Sequence, residues 1–405
     1  MKAALATRQN DRESLAAASE LSPATRTRIV SANAVDDVVR FAWYDLAGDA
    51  AEPNSFAEPW FVEPGLKYLA ADADIRLLLV WEDASEPRLL GLLPLTILPH
   101  YGRVPFAHVQ NWRHANDFLG VPLIRNGFAT RFWAEALGAL DGTDWARGFL
   151  HVNGLVEDGA THAGLVAAAG ATGRSCDTVH RHVRALLASQ LSADAYYADT
   201  VRKKKRKELG RIQRRLADVG EVTSSTLAED AALGPWCDAF LALEHGGWKG
   251  RAGSSLASAP DTENFFRDAL AGAHRAGALE FRRMDLDGRP IAMLVNFLSP
   301  PGSFSFKTAF DEAYAKFSPG VLIQLDNLEV VQRPEIDWMD SCAAPDHPMI
   351  DSLWGERRAI VRVSIPLSGA RRGLAFKLAR GLEDGSARLR KAKQERRDRK
   401  GQADG

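Results

Sequence analysis

The stretch SFSFKTAFDEAYAKFSPGVLIQLDNLE, residues 303–329, changes its period in mid-course. Ser303 to Thr308 alternates as a strand does, and an acidic, aromatic loop follows. After Ser318-Pro319-Gly320, Leu322, Leu325 and Leu328 recur at helical spacing, with Val321 beside them. Ser318 is a good N-cap, Pro319 suits the first helical position, and Gly320 lets another group approach the backbone closely. A strand feeding a bare helix start leaves unpaired N–H groups at the positive end of the helix dipole, which suits a phosphate. Locally the plainer reading is an ordinary capped helix start, so the rest of the chain has to decide.

The chain has 405 residues, enough for two domains that each bury a core. With 46% hydrophobic and 25% charged residues, the composition is that of a soluble globular protein. A formal net charge of −1 gives no global field for nucleic acid or membranes. The charge is uneven, however. Residues 371–405 hold twelve Lys/Arg against five Asp/Glu, a net of +7, which leaves −8 for the remainder. Cys176, Cys237 and Cys342 are far apart and odd in number, which argues against a disulfide framework and a zinc site and for a reducing, cytoplasmic setting. The first twenty residues lack an apolar core of signal-peptide length, and no apolar run approaches a membrane span.

Residues 1–25 are polar and read as a disordered N-terminus. From there strands and helices alternate. Ile75 to Trp81 and Leu89 to Ile97 flank the polar turn Glu82 to Pro87 as a hairpin. A helix at Ala129 to Leu140, a strand at Phe149 to Asn153, a helix at Ala160 to Ala169 and a strand at Arg181 to Leu187 complete a first domain at 26–190. A basic helix, Ser192 to about Val219, carries an apolar stripe of Leu209, Ile212, Leu216 and Val219 and connects the halves over 191–220. In residues 221–366 the grammar repeats: Leu279 to Met284 and Ile291 to Phe297 flank another acidic turn, and a strand and helix follow. Two similar α/β domains by internal duplication are therefore expected. The tail, 367–405, reads as flexible and basic, with Leu374 and Leu378 as its anchors.

Several residues could carry chemistry, each beside a plainer reading. Arg202 to Lys207 are six successive cations, by default a solvated helical turn and otherwise an electropositive rim for an anionic partner; without interleaved aromatic residues they do not read as a specific nucleic-acid surface. Glu244-His245-Gly246-Gly247-Trp248-Lys249-Gly250 ends a helix and is no Walker loop, because Lys249 is followed by Gly. Either Trp248 is packed down as a lid, or Trp248 and Lys249 line an acceptor cleft with Glu244 as a candidate base for an amine's proton. Asp311 caps its loop or acts as a base, while Tyr314 packs or gives a proton to a leaving thiolate. Trp112, His114 and Asn116 form a polar-aromatic cluster. The histidines show no metal-ligand spacing and no G-x-S-x-G elbow is present.

FKTAFDEAYAKFSPGVLI, from Phe306, resembles the C-terminal half of the CelD-like acetyltransferases, a branch of the GNAT superfamily related to the Fem-type peptidoglycan aminoacyltransferases. RKKKRKELGRIQRRL from Arg202, EHGGWKGRAGSS from Glu244, LDGRPIAMLVNF from Leu286 and MDSCAAPDHPMIDSLWGERRAIVRVSI from Met339 agree in order. NSFAEPWF from Asn54 and NWRHANDFLGVPLI from Asn111 resemble the N-terminal half. The resemblance implies tandem GNAT-like domains, with mixed sheets flanked by helices. It implies an acyltransferase that moves an acetyl or longer acyl group from acetyl-CoA or another acyl-CoA, without a metal, to an amine or hydroxyl of a small-molecule or saccharide acceptor in polysaccharide or envelope metabolism. Phe306 and Lys307 would then lie along the pantetheine arm, and Ser318, Pro319, Gly320, Val321 and Leu322 would hold the pyrophosphate. Trp112 and His114 would line the interdomain cleft. The superfamily's R-x-x-G-x-G/A loop is absent, with Ser318-Pro319-Gly320 in its place. Two other readings stand beside this one: a Fem-type enzyme using aminoacyl-tRNA, for which the Arg202 run and the tail would contact phosphates, and a non-catalytic scaffold whose tail docks an anionic partner.

Overall fold

The computed structural model describes residues 24–383 and 385. The N-terminal stretch 1–25 lies outside the described residues except for its last two, and Thr25 already opens the first strand. The strands are β1 Thr25–Ser31, β2 Arg76–Glu82, β3 Leu89–Leu98, β4 His108–Asn111, β5 Leu123–Ile124, β6 Phe149–Val156 and β7 Asp177–Leu187, then β8 Val222–Thr226, β9 Leu279–Leu286, β10 Arg289–Ser299, β11 Gly302–Phe310, β12 Trp338–Asp340 and β13 Glu356–Pro366. The helices are α1 Asp37–Gly48, α2 Pro59–Leu69, α3 Ala129–Asp141, α4 Ala160–Ala171, α5 Ala193–Thr200 and α6 Lys203–Ala217, followed by α7 Leu233–Gly246, α8 Trp248–Arg251, α9 Pro260–Arg275, α10 Pro319–Asp326 and α11 at 370–383.

All thirteen strands join one mixed sheet, in the order β1-β2-β3-β4-β6-β13-β7-β12-β11-β10-β9-β8 with β5 beside β3. The two halves share a plan. β1 to β4 and β8 to β11 are antiparallel runs, and each ends in a short parallel step, β4 with β6 and β11 with β12. The last strand does not stay in its own half, because β13 pairs with β6 on one side and β7 on the other.

Aromatic residues of the first half cross over as well. The turn before α2 and its first residues place Phe56 at 5.2 Å from Phe304, and Trp60 at 4.9 Å from Phe297. Pro59 at the first helical position fixes this entry. Gly272 of α9 admits the Trp60 backbone, since a Cβ there would come within 2.7 Å of Trp60 Cβ. The apolar stripes of α3 (Phe132, Trp133, Ala136, Leu137, Leu140) and α9 (Phe265, Phe266, Ala269, Leu270, Ala273) are buried in the same core.

The expected single helix from 192 to 219 is two helices. Val201 is 1% exposed and extended, turned into the core beside Tyr196, Leu209 and Trp354. Burying this valine breaks the helix just before the cationic run, and the chain leaves α6 before Val219, which is exposed. The described part of the tail is the helix α11. Leu374 and Leu378 face outward, and Phe376 and Ala379 hold the helix to the first half through Phe149. Arg372 determines this face by donating to the carbonyls of Asp141, Thr143 and Ala146 at the end of α3.

Where β7, β12 and β13 meet, Asp340 is fully buried between two guanidiniums, with Arg184 Nε at 2.7 Å and Arg358 Nη1 at 3.1 Å. Burial alone would raise the Asp340 carboxyl, but Arg184 and Arg358 hold it below the ordinary carboxylate range. Asp340→Ala would leave both buried cations without their shared carboxylate, a loss expected at about 3–5 kcal/mol. Urea unfolding of the variant measures it, and a loss below about 1 kcal/mol would refute the role.

Candidate functional site

β11 is paired with β12 only from Gly302 to Phe304, so among the described residues Ser305 to Phe310 have no strand partner on that side. Gly302 is required there because Trp338 of β12 lies across it: a Cβ would sit 2.2 Å from the indole. An unpaired strand edge offers backbone donors and acceptors to an extended ligand. In the first half the corresponding opening is closed. The Asn111 side chain bonds the Asn153 N–H (2.8 Å) and carbonyl (3.0 Å), and Gly120 N–H donates to Gly154 O at 2.9 Å. A Cβ at Gly120 would meet Asn153 O at 1.9 Å, so only glycine can seal that gap.

The turn that leads from this edge to α10 departs from the sequence reading. A short 3-10 helix, Glu312–Phe317, intervenes, and Ser318 adopts a left-handed φ of 50° with no side-chain cap. Closing the 3-10 helix and opening α10 at one residue forces that conformation, which takes the hydroxyl away from a capping position. Val321 and Leu322 N–H bond back to Ser318 O, and Pro319 has no N–H, which leaves Gly320 N–H at the helix start. Pro319, Gly320 and Leu322 are buried, and a Cβ on Gly320 would press on the Phe310 ring at 3.1 Å. Gln324 locks α10 to the strand through Ser305 and Thr308, each at 3.2 Å. Two cations flank the turn over the Phe317 ring, Lys316 at 4.9 Å and Arg215 of α6 at 5.9 Å.

Along the edge lies a narrow crevice lined by Glu244, Trp248, Lys249, Thr308, Phe310 and Glu312. Glu244 is 5% exposed and already engaged, accepting from Lys249 Nζ and from Leu256 N–H, both at 2.7 Å. Glu312 clasps α8 through Trp248 N–H at 2.6 Å and Arg251 at 2.7 Å. Of the two readings of Trp248, the packed lid does not hold: the residue is 58% exposed. Asp311 caps the 3-10 helix through Ala313 N–H at 2.9 Å, and Tyr314 packs with Phe317 toward Ile212 and Leu216 of α6.

Phe306 is buried in the aromatic cluster between the halves, and Lys307 stands beside it with its ammonium 5.6 Å from Phe118 and 5.2 Å from Phe306. Burial and the nearby charge of Lys249 bring the Lys307 amine down to about 8. His114 lies between the halves, stacking on Phe61 at 5.4 Å and meeting Phe265 of α9 edge-on at 4.9 Å, whereas Trp112 packs against the first half's own core. His114, Lys307, Lys249 and Glu244 thus form one electrostatic group contributed by both halves. The sequence resemblance makes Lys307 a cofactor contact; the structure adds that its amine is lowered by burial. The signal available was a lysine in an otherwise apolar strand.

Burial drives the His114 imidazole from 6.5 down to about 3, assisted by Arg113 and Lys307. The unfolded chain therefore binds this proton at a pH where the folded chain does not, and stability falls as pH drops below about 6.5. The slope from this group approaches about 1.4 kcal/mol per pH unit. His114→Phe keeps the stacking and should lose less stability than the parent between about pH 7 and pH 5 in urea unfolding. Equal losses would show that His114 does not titrate this way.

Residues 203–347 match the model of the acetyltransferase (GNAT) domain, so the second half carries such a domain. No curated protein matches the chain. Among solved structures, FemX superposes with a TM-score of 0.53 at 9% identity, covering 80% of this chain and 95% of that one. A tandem GNAT protein from the clavulanic acid biosynthesis pathway gives a TM-score of 0.43 at 20% identity, covering 85% of this chain and 100% of that one. The mixed α/β fold is thus like that of FemX, with the acetyltransferase (GNAT) domain match in its second half. Among the described residues no group of three His, Cys, Asp or Glu is placed to hold a metal ion, and no helix is long and apolar enough to cross a membrane.

Proposed function

We propose that the protein transfers an acyl group, acetyl being the simplest, from acyl-CoA to an amine or hydroxyl, with the donor along β11. The observation that carries this reading is the asymmetry between the halves. The β11 edge is open from Ser305 to Phe310 where the first half's opening is sealed by Asn111 and Gly120. The pantetheine arm would pair with that edge, and Gly320 N–H, Lys316 and Arg215 would face the phosphates. The first turn of α6, with Lys203, Lys204 and Lys205, sets cations at a positive helix end, an arrangement that a nearby anion would relieve. The CelD-like resemblance directs the acceptor to polysaccharide or envelope metabolism, in the cytoplasm where acyl-CoA is made.

In direct transfer the acceptor nitrogen or oxygen attacks the thioester carbonyl, the C–S bond breaks, and the acceptor's proton must leave. Lys307 suits that proton: near pH 8 about half of its amine is neutral, and it lies on the strand that holds the donor. Backbone N–H groups of the open edge would steady the oxyanion. Glu244 holds Lys249 in place rather than acting as the base, since both its oxygens are already bonded. Asp311 and Tyr314 shape the turn. Binding and positioning supply the rest of the acceleration.

Acetyl-CoA should raise the melting temperature of the protein. Gly320→Leu, which drives a side chain into Phe310, should abolish that rise. If no CoA ester stabilises the chain, the donor assignment fails; salt-sensitive tRNA binding with transfer from aminoacyl-tRNA would replace it. Lys307→Met should keep the acetyl-CoA stabilisation, lower kcat/KM by about 10²–10⁴-fold and remove the rate's rise toward pH 8. An unchanged pH profile would remove Lys307 from the proton path.

A further inference from the structure

The first half holds a second polar site on the opposite side of its sealed opening. Strands β4, β6, β13 and β7 lie side by side, and their register sets Gln110 against His151, His151 against Ser364, Asn153 against Arg362, and Arg362 against His180. Side chains alternate along a strand, so these residues share one face. The opposite face carries Val109, Leu150, Val152, Val361 and Val363, all 0% exposed. In the middle of a thirteen-stranded sheet one face is therefore core, and the other is a histidine- and amide-lined surface.

That polar face is the floor of an open cleft of about 950 Å³, within the range of sites for drug-sized ligands. The chain at Tyr101 and the helix α11 form its walls, latched where Tyr101 Oη donates to Glu383 at 2.5 Å. Arg380 also pairs with Glu383, so the carboxylate on the cleft wall is already engaged. His108 and His151 stand against Tyr101 at 5.1 and 5.4 Å. Burial lowers both imidazoles, His151 to about 3, so they are neutral hydrogen-bonding groups at physiological pH. Their rings are 5.9 Å apart, and no metal site is formed among the described residues.

Arg362 and Arg103 bring positive charge to the cleft. Arg362 makes no ion pair among the described residues; it is partly desolvated, repelled by Arg113 and favoured by the Tyr101 hydroxyl. With Glu383, the carboxylate on the cleft wall, already engaged by Tyr101 and Arg380, the Arg362 guanidinium is arranged for an anion, and its planar fork matches carboxylate or phosphate. Around it, Gln110, Asn153, His108, His151 and His180 supply neutral donors and acceptors of the kind that satisfy hydroxyl groups. We propose that this cleft binds a hydroxyl-rich small molecule bearing a phosphate or carboxylate, a sugar phosphate or sugar acid, with Arg362 as the anchor of the anion. The site stands apart from the acyl-donor edge on β11 and does not depend on the donor reading.

The test is calorimetric titration of the full chain with glucose 6-phosphate, glucuronate and glucose. Saturable binding of at least one of the first two is expected, and none of glucose; which of the two binds distinguishes phosphate from carboxylate. Arg362→Ala should weaken that binding by about tenfold or more, with Arg289→Ala, a change at an exposed turn, leaving it intact. Arg362→Gln and His180→Ala serve as second variants should Arg362→Ala fail to fold. Absence of binding by both anionic probes overturns the proposal. So does binding that survives the loss of Arg362. Acetyl-CoA stabilisation, measured on the same variants, should be unaltered by Arg362→Ala, so failure at this cleft and failure at the donor edge read out separately.

Discussion

One buried carboxylate holds the two halves in register. Asp340 ends β12, and it is clamped by Arg184 from β7 and Arg358 from β13, while Cys342 N–H donates to it at 2.9 Å. Arg184 reaches further, to the Phe118 carbonyl at 2.7 Å, and so ties the first half's loop to the same point. Arg358 also covers the Trp338 ring at 3.7 Å. Desolvating three charges is expensive, and the arrangement holds because each is answered. Fixing β12 here holds it against β11 for three residues of pairing, beyond which the β11 edge is open.

The halves share a plan but not a use. Both end an antiparallel run with a parallel step, and at both steps the backbone must either find new partners or remain open. The first half closes its step with its own chain, at the cost of two glycine positions, Gly120 and the left-handed Gly154. The second half leaves it open and places a lysine of depressed basicity beside it. With one sealed and one open copy, the proposed transfer falls to the second half, and the first half's backbone is closed to the same use.

Much of this architecture was legible in the sequence, because it rests on local pattern. Both hairpins, α3, α4 and the strand at 303–308 follow from periods of two or 3.6 and from turn residues, and the repetition of that grammar announces the duplication. Non-local placement was not legible. Residues 356–366 fall within the second half in the sequence reading, yet as β13 they pair with β6 and β7, and no periodicity reports a partner. The break at Val201 is a tertiary choice, since burial of one side chain outweighs a helical pattern that continues on both sides. Ser318 has the composition of an N-cap, but the 3-10 turn before it sets its φ. Glu244 looks like a base in sequence because nothing there shows that Lys249 and Leu256 occupy both its oxygens. Lys307 and Asp340 were visible as charges inside apolar strands, and that rule is worth reading more boldly.

The polar face of the first half shows the same rule at the scale of a sheet. Strands in the middle of a large sheet ordinarily bury both faces, and burying unpaired polar groups is costly. Here β4, β6, β13 and β7 keep one face fully apolar and give the other to imidazoles, amides and an arginine. Packing does not require this, since the valines opposite already supply the core. Nor does local charge balance require Arg362, which makes no ion pair among the described residues and is repelled by Arg113. A group whose presence neither packing nor pairing explains is best understood through what it would bind. In this chain that criterion selects Lys307 on one half and Arg362 on the other, and both lie on strands whose opposite faces hold the molecule together.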